Sequence, residues 1–233
     1  MKKRWLILGL AAIMSCGCLF ACGDNGDNSN GENDGGQMIK GEEVTKEQWD
    51  TAFANIDFNY YIWESKSVFD NGDDPEIENF IVFENTAYFQ EGELDESEES
   101  GGSWCTIIDE RIYMYLGNTS VWEIGDDYYD VVYYLYFVPE MLENLGILSS
   151  SIQEYTFDEK QGVYCTTVTD DEYYGFSALT VEIVIKSGEV YSIAMNGTID
   201  EDGVTFTSQI IFEKKTIILP DEDGLNALVE ANQ

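Results

Sequence analysis

Side chains able to do chemistry are abundant in this chain, but nearly all are of one kind. Carboxylates stand in adjacent pairs at Asp73-Asp74, Asp109-Glu110, Asp126-Asp127 and Asp170-Asp171. Two carboxylates fixed about 5 Å or about 6.5–9.5 Å apart across a cleft could run glycoside hydrolysis. With 46 acidic residues in 233, adjacency alone selects no such pair, and turns or solvated loops account for all four. The chain has no histidine, which removes His-based triads and histidine zinc sites. No phosphate-binding glycine loop, nucleophile elbow or metal-ligand spacing occurs. The expectation is a protein that is not an enzyme and that holds no metal or cofactor. Two thiols, Cys105 and Cys165, fall in expected strands. Outside the cytoplasm a bridge between them is chemically allowed. Closing a loop of about sixty residues would stabilise the fold by about 4 kcal/mol. Two buried free thiols are the alternative.

Three further cysteines, Cys16, Cys18 and Cys22, lie near the start. Before them come Lys2, Lys3 and Arg4, then an uncharged and mostly apolar run over residues 5–14. The segment ends Leu19-Phe20-Ala21-Cys22. A basic start, an apolar middle and a small residue before the cut are the layout of a secretory signal. The ending resembles the lipobox of bacterial lipoproteins, with Phe20 standing where a small residue is usual. The resemblance implies cleavage after Ala21, a lipid such as palmitate on Cys22, and a place on the extracytoplasmic face of a bacterial membrane. Cys16, after Ile13-Met14-Ser15, is a second candidate. Cys22 is preferred because a hydrophilic stretch begins directly after it. The apolar run falls short of the roughly twenty residues a bilayer span needs, so an uncleaved anchor and plain secretion are the competing readings. Two or more acyl chains, at about 0.8 kcal/mol per buried methylene, would hold such a protein stably.

The charge balance restricts the partners. All 46 acidic residues follow Cys22, and the net charge is -35. Nucleic acid is excluded, because binding phosphates needs a basic face. An anionic membrane surface repels such a chain, leaving the lipid anchor as its membrane contact. The remaining charge serves solubility, or binds cations or a cationic partner.

Four segments follow from composition: a signal peptide at 1–21, a lipidated cysteine and acidic Gly/Asn/Asp tether at 22–41, one β-rich domain at 42–220, and a polar tail at 221–233. Residues 23–37 contain no apolar side chain and cannot offset the entropy of ordering. Thr45 and Gln48 read as a capping box, followed by Trp49, Ala52, Phe53 and Ile56 on one helical face. The period then changes to two. Strands are expected over 58–69, 77–90, 104–108, 111–116 and 120–124, with an acidic solvated loop at 91–102. Residues 128–148 read as an apolar helix broken near Pro139 and stopped by Gly146. A meander follows over 152–157, 162–168, 177–186, 189–199, 204–212 and 216–219, and the tail has room for one helical turn. The fold class is α+β and β-rich: a curved antiparallel sheet, half-barrel-like, packed on an N-terminal helix and a central helical insertion.

That layout, closing on Ile217-Ile218-Leu219-Pro220, resembles the LolA/LppX-type lipoproteins. The resemblance implies a half-barrel sheet wrapped around helices, with an apolar cavity that takes acyl chains. It carries no binding residue over, and the layout also fits a cystatin-like or other helix-on-sheet fold. Aromatic residues crowd the first half, among them Tyr60, Tyr61, Trp63, Tyr113, Tyr115 and Trp122. They serve either as core and girdle or as the lining of a pocket for a hydrophobic ligand. The expected function is a membrane-anchored, non-catalytic binding module for a hydrophobic ligand such as lipid. The alternative is an envelope interaction or adhesion protein with a filled core.

Overall fold

The computed structural model describes residues 40–69, 74–91, 103–116, 119–125, 128–169, 174–199, 204–214 and 218–232. Cys22 and the signal, most of the tether, the 92–102 loop, Asp126-Asp127 and Asp170-Asp171 lie outside those residues.

Helix α1 (Lys46–Ala54) begins at the expected capping box. The Gln48 N–H donates to Thr45 Oγ1 at 3.3 Å, and the Thr45 N–H donates to Gln48 Oε1 at 2.8 Å. Its stripe buries Trp49 and Ala52. Eleven strands then build one antiparallel sheet. The first six are β1 (Tyr60–Phe69), β2 (Glu76–Phe83), β3 (Thr86–Glu91), β4 (Ser103–Ile108), β5 (Arg111–Leu116) and β6 (Val121–Ile124). After α2 (Tyr128–Asn144) come β7 (Thr156–Asp158), β8 (Val163–Thr169), β9 (Phe176–Lys186), β10 (Glu189–Ile199) and β11 (Val204–Ile211). Helix α3 (Glu222–Ala231) ends the described chain.

The order across the sheet is β6-β5-β4-β3-β2-β1-β11-β10-β9-β8-β7. Every neighbouring pair is consecutive in sequence except β1 with β11, whose register runs from Ile62 opposite Ile211 to Phe69 opposite Val204. That single long-range pairing joins two local meanders. Because β6 and β7 are the opposite edges, the chain between them must cross the sheet, and α2 does so along one face. Laid flat, eleven strands would span about 48 Å. Ile112 of β5 and Tyr164 of β8 nevertheless share one contiguous buried cluster with both α1 and α2. The sheet therefore curls around the helices without closing, as the half-barrel expectation required.

The N-terminal approach runs beside the β7–β8 and β9–β10 turns, where the Gly41 N–H donates to Gly162 O at 3.0 Å and the Glu42 N–H to Ile185 O at 2.9 Å.

Three expectations are corrected. The strand read over 77–90 is two strands, reversed at Glu84-Asn85 with Glu84 at φ +56°. Helix α2 runs unbroken through Pro139. The polar tail forms the ten-residue α3, with Leu225 only 2% exposed. The stop at Gly146 holds: it sits at φ +72°, its N–H donates to Glu143 O, and the Ile147 N–H reaches Leu142 O. That is a Schellman ending, closed by contact between buried Ile147 and Leu142.

Candidate functional site

The inner face of the sheet, under α2, is the candidate hydrophobic site. Alternation along β1 sends Tyr61, Trp63, Ser65 and Ser67 inward, against Phe80 and Val82 of β2 and Phe206, Ser208 and Ile210 of β11. Trp63 stacks on Phe80 with centroids 5.5 Å apart and planes within 6°. Phe137 of α2 meets Trp63 edge-on at 5.1 Å. Leu135, Val138, Met141 and Leu142 of α2, and Leu145 just after it, are buried in the same cluster. Toward β8 and β9, Trp49 packs on Phe53, Tyr155 and Tyr164, and its Nε1 donates to Ser150 O at 3.2 Å. Phe176 and Phe206 meet at 5.5 Å across Gly197, where a Cβ would stand 2.8 Å from Ala178 O. Only glycine lets those rings close over β10.

Three serines interrupt this apolar face. Ser65 Oγ accepts from Trp63 Nε1 at 2.8 Å. Ser67 Oγ and Ser208 Oγ are fully buried and have no hydrogen-bond partner. Unsatisfied hydroxyls in a core are unfavourable, and small polar residues at inward strand positions are the sequence signal that reveals them. A depression of about 550 Å³ does exist, but it runs along the exposed flank of α1, lined by Lys46, Glu47, Asp50, Thr51 and Ala54. It lies away from the apolar face, and charged residues contribute much of its lining.

The other sequence candidates are dispersed. Asp109 and Glu110 form the two-residue β4–β5 turn, at φ +50° and +63°, and are exposed. They are turn formers, not a catalytic pair. Asp74 is exposed, two residues before β2. Among the described residues no group of three His, Cys, Asp or Glu side chains could hold a metal ion. The bridge that sequence allowed between Cys105 and Cys165 is not formed. Cys105 points inward from β4, Cys165 lies on the outer row of β8 opposite Glu182, and six strands stand between them. Neighbouring strands are about 4.8 Å apart, and a disulfide needs Cα atoms within about 7 Å. Burial pushes the Cys105 thiol up to about 11.

One carboxylate escaped the sequence reading. Glu182, midway along β9, is half-buried on the outer face, with Oε1 buried and unpartnered. Burial, and then the charge of Asp158, push its pKa upward. A lone acid inside a strand was the available signal.

Among the described residues no helix is long and apolar enough to cross a membrane. No protein-family model and no curated protein matches the chain. Solved structures similar to it include an uncharacterized conserved protein from Thermus thermophilus, with 9% identity over 73% of this chain and 88% of that one, TM-score 0.35. A DUF1329 family protein from Desulfovibrio piger has 9% identity over 78% and 98%, TM-score 0.34. A domain from Vibrio parahaemolyticus described as outer membrane lipoprotein-sorting has 11% identity over 79% and 96%, TM-score 0.26. Likeness at this level carries no inference about function.

Proposed function

We propose that this chain is a membrane-anchored extracytoplasmic lipoprotein whose folded part is a non-catalytic binding module for a hydrophobic ligand such as lipid. The observation that carries the reading is the curved, unclosed sheet with a largely apolar inner face, rich in rings at Trp63, Phe80 and Phe137. A ligand on the inner face would share it with α2.

A second reading, an envelope interaction or adhesion protein with a filled core, has its own observation. The described part of α2 already packs Leu135, Phe137, Val138 and Met141 onto that face. Native mass spectrometry of the mature domain, purified from an envelope-containing host, separates the two. Co-purified lipid, or saturable uptake of a fluorescent fatty acid, supports the binding module. Bare protein that takes up no fatty acid leaves the interaction reading.

A further inference from the structure

The outer face of β3–β6 carries an unbroken row of rings. Register sets Tyr88 beside Trp104, Trp104 beside Tyr115, and Tyr115 beside Trp122. Tyr88 and Trp104 have centroids 4.4 Å apart, and Tyr115 and Trp122 5.4 Å. The C-terminal segment covers the β5–β6 end of this row. Leu225 of α3 is buried against Tyr113 and Trp122, with Leu219, Leu228 and Val229 half-buried around it. Trp122 Nε1 donates to Pro220 O at 2.8 Å. Trp122 is 6% exposed as a result, while Tyr88 and Trp104 keep partly open faces.

This cover is thinly attached. Its small core lies across the sheet from the main cluster and is separate from it. One buried leucine and three half-buried side chains must offset the ordering of residues 219–232. A ten-residue helix is too short to persist unsupported. Its last turn has no basic residue to balance the helix dipole. Asp221, at φ +42°, caps it through the Gly224 N–H at 3.2 Å, a contact internal to the segment. Lifting the helix therefore leaves the main core closed.

We propose that α3 is a strap that opens as a unit, without global unfolding, and that its opening bares the rings of Trp122, Tyr115 and Trp104 on the outer face. This goes beyond the hydrophobic-ligand reading and does not depend on it, since those rings lie on the opposite face from α2.

Native-state hydrogen exchange on the full mature domain tests the strap. Amides of residues 225–231 should exchange at least ~100-fold faster than those of β10 and β11. Exchange of both sets with one common opening free energy would overturn the proposal. In Leu225→Ala, strap exchange should rise at least ~10-fold while the thermal midpoint stays near that of the parent. A midpoint lowered as far as in Leu142→Ala, a main-core variant, would make α3 part of the cooperative unit and sink the idea. The dye ANS should bind more strongly to Leu225→Ala than to the parent, and Trp104→Ala in that background should remove the gain. No gain, or a gain insensitive to Trp104, would overturn the uncovering of these rings.

Discussion

The Tyr61 hydroxyl donates to the carbonyl of Leu135 at 3.4 Å, deep in the core. Leu135 lies four residues before Pro139, so its carbonyl is the acceptor that proline, lacking an N–H, cannot serve. A side chain of β1 thus supplies the hydrogen bond missing from α2, and the helix continues where its sequence reads as broken. The same contact pins α2 to the centre of the sheet.

Tyr61→Phe should destabilise the domain by about 1–2 kcal/mol, because it leaves a buried carbonyl unsatisfied. Pro139→Ala restores an N–H to that carbonyl, so in its background Tyr61→Phe should lose most of its effect. Urea denaturation of the two single variants and the double variant measures the coupling. Strict additivity would break the link between Tyr61 and Pro139.

The two unbridged cysteines lead to a labelling order. Cys105, buried and with its thiol pushed up to about 11, should resist iodoacetamide in the native domain. It should react only after denaturation, and Cys165, half-buried on β8, should be modified first. Intact mass after non-reducing preparation should match two thiols. A mass lower by one disulfide would contradict the sheet order.

Glu182 makes stability depend on pH in a defined sense. Its folded pKa is raised by burial and by Asp158, so the native state holds the proton more tightly than the unfolded chain. Stability is then highest below the ordinary glutamate range and falls as pH rises through the raised folded value. Glu182→Gln should melt higher at pH 7, by about 2–4 °C for a gain near 1 kcal/mol, the group being only half-buried. The gain should vanish near pH 4. An equal gain at both pH values would mean that ionisation is not its cause.

Lipidation at Cys22 is tested by palmitate labelling in a bacterial host. Incorporation should disappear in Cys22→Ala. Persistent label in that variant would move the site to Cys16 or Cys18.

Local chemistry alone determined much of this fold. The Thr45 box, the Gly146 stop and turns such as Ser187-Gly188 act within a few residues of themselves, and each appears where the pattern put it. Period-two alternation likewise marked most strands, because one face of each is buried. Tertiary structure decided the rest. The reversal at Glu84-Asn85 lacks the Gly or Pro that usually marks a turn, and it exists because β2 and β3 pair from Glu78-Glu91 to Phe83-Thr86. The meeting of β1 with β11 leaves no mark in either strand, since it depends on two meanders finding one another. Helix α3 reads as a polar tail until Tyr113 and Trp122 give Leu225 a surface on which to bury. Pro139 stays helical because Tyr61, 78 residues earlier, serves the carbonyl it abandons. In each case the stabilising partner is distant in the chain, and a local pattern holds no information about it.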